Sequence, residues 1–301
     1  MLIRGTAFPA HDGGQCFMST ARKLRQDIKS GPMIVAPGAY DCITAKLIEQ
    51  AGYGAVYMSG GCTAAMLGFP DYGLTTMTEM VDNAGRIAGA VNVPVIADAD
   101  TGFGNELNVT RTVREYELRG IAAIQIEDQG FPKRCGHLDG KEIVPLKEFL
   151  TRIRAAVAAR RDPDTLIVAR TDARSVAGFN ESIDRLNAAL DAGADVAFFE
   201  AQQSVRETEQ IPRLIHGPCL LNVTRGGKSP VPDSRQVEDM GYRIAILPGL
   251  LLMHIIGSCR QILKEARDTR THPVPLGDIS IPEMWRVVGA DGWDAVQARY
   301  K

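Results

Sequence analysis

The sequence PVIADAD, at residues 94–100, decides the fold that we expect for this chain. It begins with apolar residues and ends in two carboxylates, which is typical of a strand that is buried in a parallel sheet and ends at a polar edge. Seven further runs of this kind occur along the chain: MIVAP (33–37), GAVYMSG (54–60), AAIQIED (122–128), LIVARTD (166–172), DVAFFEA (195–201), CLLNVT (219–224) and RIAILPG (243–249). Together the eight runs predict a parallel sheet that is covered on both faces.

Segments with helical periodicity alternate with these runs. They cover residues 40–51, 77–90, 108–119, 146–161, 180–192, 206–215, 234–240 and 250–266. Eight strand–helix units in roughly 215 residues fit a closed (β/α)₈ barrel better than an open doubly wound sheet. The Rossmann-like alternative also lacks its G-x-G-x-x-G signature after the first strand. We therefore predict an α/β fold of the TIM-barrel type.

No linker or low-complexity block divides the chain, so we expect a single domain over residues 1–301. Residues 1–30 are expected to form a polar lead-in and one short helix. Residues 268–301 contain Pro, Gly and Trp and are expected to form a C-terminal helical extension that packs on a neighbouring subunit.

Composition excludes several classes of partner. The chain has 34 basic and 36 acidic residues, which gives no electrostatic preference for nucleic acid or an anionic membrane. Its longest apolar stretch, Ile244 to Ile256, is interrupted by Pro248 and is shorter than the ~20 residues of a membrane span. The six cysteines include no C-x-x-C pair, which indicates free thiols in a reducing compartment. We expect a cytoplasmic protein that acts on a small molecule.

Carboxylates at the predicted strand ends indicate a metal site. Asp98 and Asp100 are two residues apart on one strand, so their side chains should point the same way, and Glu127 ends the next strand. Three converging carboxylates repel each other unless a cation lies among them. Their ligand atoms are all hard oxygens, which favours Mg²⁺, with Mn²⁺ possible, over Zn²⁺. The alternative is that they cap helices or pair with Lys and Arg side chains.

The sequence K-R-C-G-H, residues 133–137, places a thiol between two cations and a histidine. Such neighbours lower a thiol pKa and make the group available for proton transfer. The surrounding segment, Gln129 to Pro145, is rich in Gly and Pro and is long enough to act as a lid. A solvated basic turn is the alternative interpretation.

Two features predict binding of anionic groups at the same end of the barrel. Arg170 ends the fifth strand and offers a two-pronged guanidinium to a carboxylate, unless it forms a structural salt bridge. The backbone N–H groups of Ser59-Gly60-Gly61 can hold a second carboxylate. Tyr57 and Asn222 carry weaker signals, since Tyr57 is equally consistent with the barrel core and Asn222 with a strand-end hydrogen bond.

Residues 34–266 resemble the isocitrate lyase/phosphoenolpyruvate mutase superfamily. The motifs that carry the resemblance are A-P-G-A-Y-D, Y-M-S-G-G, G-F-P-D-Y-G, D-A-D-T-G-F-G-N, I-E-D-Q, K-R-C-G-H, A-R-T-D-A, F-F-E-A and L-N-V-T. K-R-C-G-H is similar to the signature of the lyase branch, and G-G-K-S-P and I-P-E-M-W-R-V-V-G are most similar to 2,3-dimethylmalate lyase and its relatives, which include methylisocitrate lyase.

The resemblance implies a role for each matching residue. Asp98 would bind Mg²⁺ directly, and Asp71, Asp100 and Glu127 would hold metal-bound waters. Cys135 would be the general acid, with Tyr57, His137 and Arg170 also in the catalytic set. The implied substrate-binding residues are Ser59, Gly60, Gly61, Gly136, Arg170, Glu200 and Asn222. The resemblance also implies a homotetramer whose C-terminal helices are swapped between subunits.

The implied reaction is Mg²⁺-dependent cleavage of a carbon–carbon bond in a 2-hydroxy dicarboxylate of the 2-methylmalate, 2,3-dimethylmalate or 2-methylisocitrate type. The products would be pyruvate, or a related 2-oxo acid, and a carboxylic acid. Oxaloacetate hydrolysis to oxalate and acetate is the first alternative, against which a bulky Leu250 after the last strand argues. A phosphonopyruvate-type mutase or hydrolase and a non-catalytic binding barrel are the others.

Overall fold

A closed barrel of eight parallel strands forms the centre of the protein in the computed structural model, which describes residues 18–230 and 232–301. The strands follow one another around the barrel in chain order, and the first pairs with the last. They are β1 (Ile34–Ala39), β2 (Val56–Met58), β3 (Val95–Asp98), β4 (Ala123–Glu127), β5 (Leu166–Thr171), β6 (Val196–Phe199), β7 (Cys219–Asn222) and β8 (Ile244–Leu247). The TIM-barrel prediction and all eight predicted strands are confirmed. Seven strands have narrower bounds than predicted, whereas β1 begins one residue later and continues two residues further, to Ala39.

Helices surround this barrel. In the described part of the chain they are α1 (Thr20–Ser30), α2 (Cys42–Gln50), α3 (Gly60–Met66), α4 (Met77–Ala90), α5 (Glu106–Leu118), α6 (Leu146–Ala159), α7 (Phe179–Asp191), α8 (Val205–Leu214), α9 (Ser234–Asp239), α10 (Leu250–Thr269), α11 (Ile281–Val287) and α12 (Ala290–Ala298), with a 3₁₀ turn at Ala173–Ser175. Every predicted helix is present. The predicted lead-in at residues 1–17 lies outside the described residues.

Helix α3 is a difference from the sequence-based expectation, which placed Ser59 and Gly60 at the end of the second strand. The strand ends at Met58, and the Ser59 hydroxyl accepts a hydrogen bond from the Cys62 N–H at 3.3 Å. Ser59 is therefore a helix N-cap. Gly60 and Gly61 form the first turn of a helix that begins directly at the barrel mouth.

Two apolar layers stabilise the barrel, one inside it and one between the strands and the surrounding helices. Side chains inside it, among them Ile96, Val168 and Phe198, pack in one cluster with Leu24 and Ile28 of α1. Because those residues of α1 share a cluster with the start of several strands, the helix closes the N-terminal end of the barrel. The carboxyl ends of the strands remain for chemistry, as is general for this architecture.

Exposed apolar residues mark the C-terminal extension. The side chains of Ile255, Leu263, Leu276 and Trp285 are all exposed, and neither α10 nor α11 contributes a buried residue within the described chain. The extension touches the barrel at α2, where Gln50 Nε2 donates to the Val287 carbonyl at 2.9 Å. Among the described helices, none is long and apolar enough to cross a membrane.

Candidate active site

A cavity of about 250 Å³ opens at the carboxyl ends of the strands. Most of the residues that the sequence nominated reach it, although they come from six different strands or the segments that follow them. Those that line the cavity are Tyr57, Ser59, Gly61, Asp71, Asp98, Cys135, Gly136, His137, Arg170, Glu200 and Asn222. Gly60, Asp100 and Glu127 lie directly behind this wall, in contact with residues that line it.

Asp98 is held rigidly at the cavity wall. Its Oδ1 accepts hydrogen bonds from Gln125 Nε2 and the Asp100 N–H, both at 3.0 Å, and its Oδ2 accepts one from the Gly60 N–H at 3.2 Å. A Cβ on Gly60 would lie only 2.7 Å from Asp98 Oδ2 and 3.3 Å from Asp100 Oδ1. The absence of a side chain at Gly60 therefore lets the two carboxylates converge.

Asp100 reaches this position by a different route from the one that strand alternation predicts. Strand β3 ends at Asp98, and Asp100 lies beyond it with φ +46°, a left-handed conformation that is uncommon for residues other than glycine. The prediction of one shared strand face was therefore wrong in its reason, although the convergence is present.

The cation among these carboxylates is the Lys133 ammonium. Its Nζ lies 2.6 Å from Asp71 Oδ1 and 2.9 Å from Asp100 Oδ1, and its side chain is only 4% exposed. Glu127 Oε2 lies 3.3 Å from Arg170 Nε. Pairing of the carboxylates with Lys and Arg, which the sequence left as an alternative, is thus part of the arrangement.

These residues fit a hard cation that takes few protein ligands. Among the described residues, no group of three or more Asp, Glu, His or Cys side chains could enclose a metal ion alone. Yet both carboxylate oxygens of the fully buried Glu127 lack a hydrogen-bond partner in the described chain. Burial raises the pKa of Glu127 well above its ordinary value, so its charged form needs a neutralising group. Mg²⁺ commonly keeps several waters and takes only one or two carboxylates, which matches this oxygen-only set.

The segment that carries K-R-C-G-H lies closed over the cavity. The Gln129 side chain bonds the Arg134 backbone twice, through Oε1 at 3.0 Å and Nε2 at 2.8 Å. The Cys135 N–H donates to the Asp71 carbonyl at 3.2 Å. Gly136 packs so tightly that a Cβ there would lie 2.5 Å from Glu200 Oε1 and 2.6 Å from Arg170 Nη2.

The expectation that charged neighbours lower the Cys135 pKa was wrong. Burial, followed by the charge of Asp71, raises the pKa of the thiol to about 11, and the His137 N–H and Arg170 oppose this only in part. The two flanking cations point away from the sulfur, since Lys133 binds carboxylates and the Arg134 guanidinium lies 5.8 Å from the centre of the Tyr72 ring. A thiol that keeps its proton at neutral pH is suited to donate it.

Arg170 forms an ion pair with Asp172 and also lines the cavity. Its Nε and Nη2 donate to the Asp172 carboxylate at 2.9 and 3.1 Å, so the two-pronged bond that we expected for a substrate is made to Asp172. The guanidinium carbon lies 5.1 Å from the centre of the Phe198 ring, and the side chain still lines the cavity. This geometry corrects the expectation, because only the remaining edge of the guanidinium is available to a ligand.

The Ser59-Gly60-Gly61 segment has fewer backbone N–H groups free to bind a carboxylate than we expected. The Ser59 N–H donates to the Ala39 carbonyl at 3.2 Å, and the Gly60 N–H donates to Asp98. Gly61 lines the cavity and lies beside Asp71, whose Oδ2 would be 3.0 Å from a Cβ at this position.

His137, Glu200 and Asn222 form the opposite wall. The Lys228 N–H donates to His137 Nδ1 at 3.2 Å, so the neutral ring carries its proton on Nε2, which lies 3.2 Å from Glu200 Oε1. Asn222 Nδ2 donates to Glu200 Oε2 at 3.2 Å. Glu200 therefore orients both a histidine and an amide toward the cavity.

Gln125 is a site residue that the sequence analysis did not identify. It is fully buried in β4, its Oε1 accepts a hydrogen bond from the Tyr57 hydroxyl at 2.9 Å, and its Nε2 donates one to Asp98. The signal was present as a single amide within the apolar run AAIQIED. Burial raises the pKa of Tyr57 well above 10, so Tyr57 acts as a neutral donor and belongs to the barrel core as well as to the cavity.

Replacing Gly136 by alanine is expected to lower kcat/KM by at least about tenfold, because the added methyl group meets Glu200 and Arg170 and prevents the segment from closing. Steady-state kinetics on folded protein would measure this. Gly130→Ala is the matched control on the same segment, since its Cβ would meet nothing closer than the Glu142 carbonyl oxygen at 3.8 Å. Equal activity of the two variants would contradict the closed arrangement.

The fold and this cavity define a class: a (β/α)₈-barrel enzyme with an oxygen-rich metal-type site beneath a thiol-bearing lid. The sequence model of the phosphoenolpyruvate phosphomutase family matches residues 24–267. The chain belongs to the phosphoenolpyruvate mutase/isocitrate lyase superfamily.

Named relatives place it near the carbon–carbon lyases of that superfamily. The chain is 50% identical to 2,3-dimethylmalate lyase of Eubacterium barkeri, over 77% of this chain and 80% of that one. It is 44% identical to 2-methylisocitrate lyase of Aeropyrum pernix, over 82% of this chain and 80% of the relative. We conclude that it is an enzyme of the same carbon–carbon lyase class.

Solved structures agree with this placement. A crystal structure of 2,3-dimethylmalate lyase superposes with a TM-score of 0.90 at 38% identity, covering 94% of this chain and 96% of that one. Oxaloacetate acetylhydrolase, in complex with 3,3-difluorooxalacetate, gives 0.88 at 38% identity, covering 93% and 96%. Phosphonopyruvate hydrolase, in complex with oxalate and Mg²⁺, gives 0.85 at 30% identity, covering 94% and 99%.

Proposed function

We propose that this enzyme uses Mg²⁺ to cleave the C2–C3 bond of a 2-hydroxy dicarboxylate of the 2-methylmalate or 2,3-dimethylmalate type, or of 2-methylisocitrate, which carries a third carboxylate. The products are pyruvate, or a related 2-oxo acid, and a carboxylic acid. The observation that carries the proposal is that Cys135, on a closed lid, lines the same cavity as Asp98, and burial raises the pKa of its thiol to about 11. A proton donor and a metal-type carboxylate on one cavity are what this cleavage requires.

In the proposed metal site, Asp98 would be the direct ligand, and Asp71, Asp100 and Glu127 would hold metal-bound waters. Support comes from the buried oxygens of Glu127, which accept no hydrogen bond within the described chain although Oε2 lies 3.3 Å from Arg170 Nε, and from the Mg²⁺ in the phosphonopyruvate hydrolase structure. Mn²⁺ can replace Mg²⁺ in an all-oxygen site. When bound, the metal lowers the pKa of the substrate's 2-hydroxyl and polarises the neighbouring carboxylate.

The protein's own groups complete the reaction. As the 2-hydroxyl gives its proton to solvent water, the C2–O bond becomes a carbonyl, the C2–C3 bond breaks, and the electron pair moves into the carboxylate attached to C3. The proton released to water balances the one that the Cys135 thiolate takes up after it has protonated C3. The second N–H of the Asn222 amide and the free edge of Arg170 are the donors that stabilise this charge. His137 lines this half of the cavity and gives its Nε2–H to Glu200. Cys135 then gives its proton to C3.

The remaining residues bind and orient. Gly61 and the Ser59 turn at the start of α3 hold the 2-oxo acid part of the molecule, and Gly136 lets the lid approach Glu200 and Arg170. Tyr57 keeps its proton and holds Gln125, which in turn fixes Asp98. Glu200 holds His137 and Asn222 in place.

Oxaloacetate hydrolysis to oxalate and acetate is the second candidate, favoured by the likeness to oxaloacetate acetylhydrolase. The cavity wall after β8 consists of Pro248 and Gly249, neither of which has a side-chain hydroxyl to hold a hydrated carbonyl. This favours the lyase. Leu250 contributes to an adjoining cavity of about 200 Å³, so the argument from its bulk in the main cavity was wrong.

A screen for Mg²⁺-dependent 2-oxo acid release tests the proposal. The substrates are 2-methylisocitrate and the stereoisomers of 2,3-dimethylmalate and of 2-methylmalate (citramalate), with oxaloacetate and phosphonopyruvate assayed separately. We expect turnover of at least one of the hydroxy acids. Turnover of oxaloacetate alone establishes the hydrolase, turnover of phosphonopyruvate alone establishes the phosphonate branch, and ligand binding without turnover establishes a binding barrel.

We also propose a cytoplasmic homotetramer of single-domain subunits with swapped C-terminal helices. The exposed apolar residues of α10 and α11 support the assembly, and the free cysteines among the described residues support a reducing compartment. No nucleic acid or membrane partner is proposed.

Light scattering after gel filtration is expected to give a mass four times the 32.6 kDa of one chain. Removal of residues 270–301 deletes α11 and α12 and is expected to reduce that mass, with the barrel's circular dichroism largely retained. A monomeric full-length protein would contradict the swapped tetramer.

A further inference from the structure

The side chain of a second lysine of the lid, Lys141, is less exposed to solvent than the side chain of Lys133. Its side chain is 1% exposed, and its ammonium donates to the Gly136 carbonyl and, at 3.0 Å, to Asp172 Oδ1. Asp172 is itself fully buried. An ammonium removed from water in this way requires partners in fixed positions, so each of these contacts constrains the group that makes it.

Both partners of Lys141 are directly joined to groups of the proposed chemistry. The Gly136 carbonyl belongs to the residue that follows Cys135 and that packs against Glu200. The Asp172 carboxylate holds Arg170 through two hydrogen bonds. One ammonium thus touches the lid on one side and, through Asp172, the cavity guanidinium on the other.

The lid has a separate tie at its base. The Gly130 N–H donates to the Glu142 carbonyl at 2.8 Å, and the Val144 N–H donates to the Asp128 carbonyl at 2.9 Å. These bonds join the two ends of the segment but do not hold its tip down. Lys141 lies at the base, next to Glu142, and reaches forward to the tip at Gly136.

We propose that Lys141 is a positioning residue whose ammonium acts with the Cys135–Asp71 and His137–Lys228 hydrogen bonds to hold the lid tip closed, and that it also keeps Arg170 oriented through Asp172. The proposal rests on the proposed function, in which Cys135 donates a proton to C3 and Arg170 stabilises the charge on the substrate carboxylate. Exposed ion pairs of the lid do not share this role: Lys228 binds Asp139 at 2.5 Å, but Asp139 is 94% exposed, and such pairs contribute little.

The test compares Lys141→Met with Asp139→Asn, which removes the exposed ion pair of the same lid. Alkylation by iodoacetamide at pH 8, without metal or substrate, is followed at Cys135 by peptide mass mapping. We expect alkylation at least about tenfold faster than wild type in Lys141→Met and unchanged in Asp139→Asn. On the best substrate, kcat of Lys141→Met is expected to fall about tenfold, with a smaller change in KM.

Lys141→Gln is the milder variant if Lys141→Met does not fold, because it keeps a polar donor and much of the volume. It is expected to change both readouts in the same direction. A folded Lys141 variant whose Tm is lowered, but whose Cys135 alkylation rate and kcat equal those of the wild type, would overturn the proposal. Failure of the proposed function appears elsewhere, as absence of wild-type turnover on every hydroxy acid, and leaves the alkylation result interpretable.

Discussion

Replacing Cys135 by serine is expected to lower kcat by about 10²–10⁴-fold, the usual contribution of a positioned general acid. A serine hydroxyl fills nearly the same space but is a far weaker acid than a thiol, so C3 of the substrate would no longer receive its proton at a useful rate. Binding of Mg²⁺ and pyruvate should stay close to wild type, because Asp98 and the start of α3 are untouched. Steady-state kinetics and calorimetry measure the two effects separately.

The control for this variant is Cys42→Ser. Cys42 is a half-buried cysteine at the start of α2 whose sulfur contacts the Arg86 carbonyl at 3.4 Å, and it does not line the cavity. It should retain full activity. A Cys135→Ser enzyme that keeps more than about a tenth of wild-type kcat would remove the thiol from the mechanism.

Replacing Asp98 by asparagine is the second change with a large expected effect, a loss of about 10³-fold in kcat/KM. The substitution removes the charge of the proposed direct ligand. It also turns an amide N–H₂ toward one of the donors that Asp98 accepts from, namely Gln125, Gly60 or the Asp100 N–H. The affinity for Mn²⁺, followed by its paramagnetic resonance, should fall in parallel.

Asp82→Asn is the matched control, because Asp82 lies on α4 in an exposed pair with Arg119 at 3.2 Å. Its Mn²⁺ affinity and activity should equal those of the wild type. Thermal unfolding of both variants separates lost metal affinity from lost folding. Wild-type Mn²⁺ affinity in folded Asp98→Asn would show that the metal, if bound, is held elsewhere.

The barrel could be predicted from the sequence because its signals are local. Buried parallel strands read as continuous apolar runs, and PVIADAD (94–100) or LIVARTD (166–172) ends in polar residues where each strand reaches the mouth. In this architecture those ends always meet. The approximate positions of Asp98, Glu127 and Arg170 therefore followed from the pattern alone.

The partners of those residues could not be predicted, because they depend on contacts distant in sequence. Lys133 lies two residues before Cys135 but binds Asp71 and Asp100, and burial determines the direction of the Cys135 pKa shift. Arg170 donates both of its paired hydrogen bonds to Asp172, which lies two residues further along the chain. Charge counted along the sequence therefore predicted the wrong direction for the Cys135 pKa.

Helix α3 was missed for a related reason. Ser-Gly-Gly after a strand is typical of a loop, and the decision for a helix is made by the Ser59 cap and by the fit of Gly60 against Asp98. Gln125 and Lys141 were overlooked because a single polar residue in an apolar run, or a lysine in a loop, has no meaning until its buried partner is known.

Proton NMR of the reaction in D₂O measures whether the C2–C3 bond is cleaved and whether Cys135 delivers one solvent-derived proton to C3. The substrate is the hydroxy acid that turns over best in the presence of Mg²⁺. For 2,3-dimethylmalate we expect pyruvate and propionate in equal amounts, with one deuterium at C2 of propionate, and formation of both products about 10²–10⁴-fold more slowly by Cys135→Ser. Products formed at wild-type rate by Cys135→Ser, or formed after complete removal of divalent metal, would contradict the account.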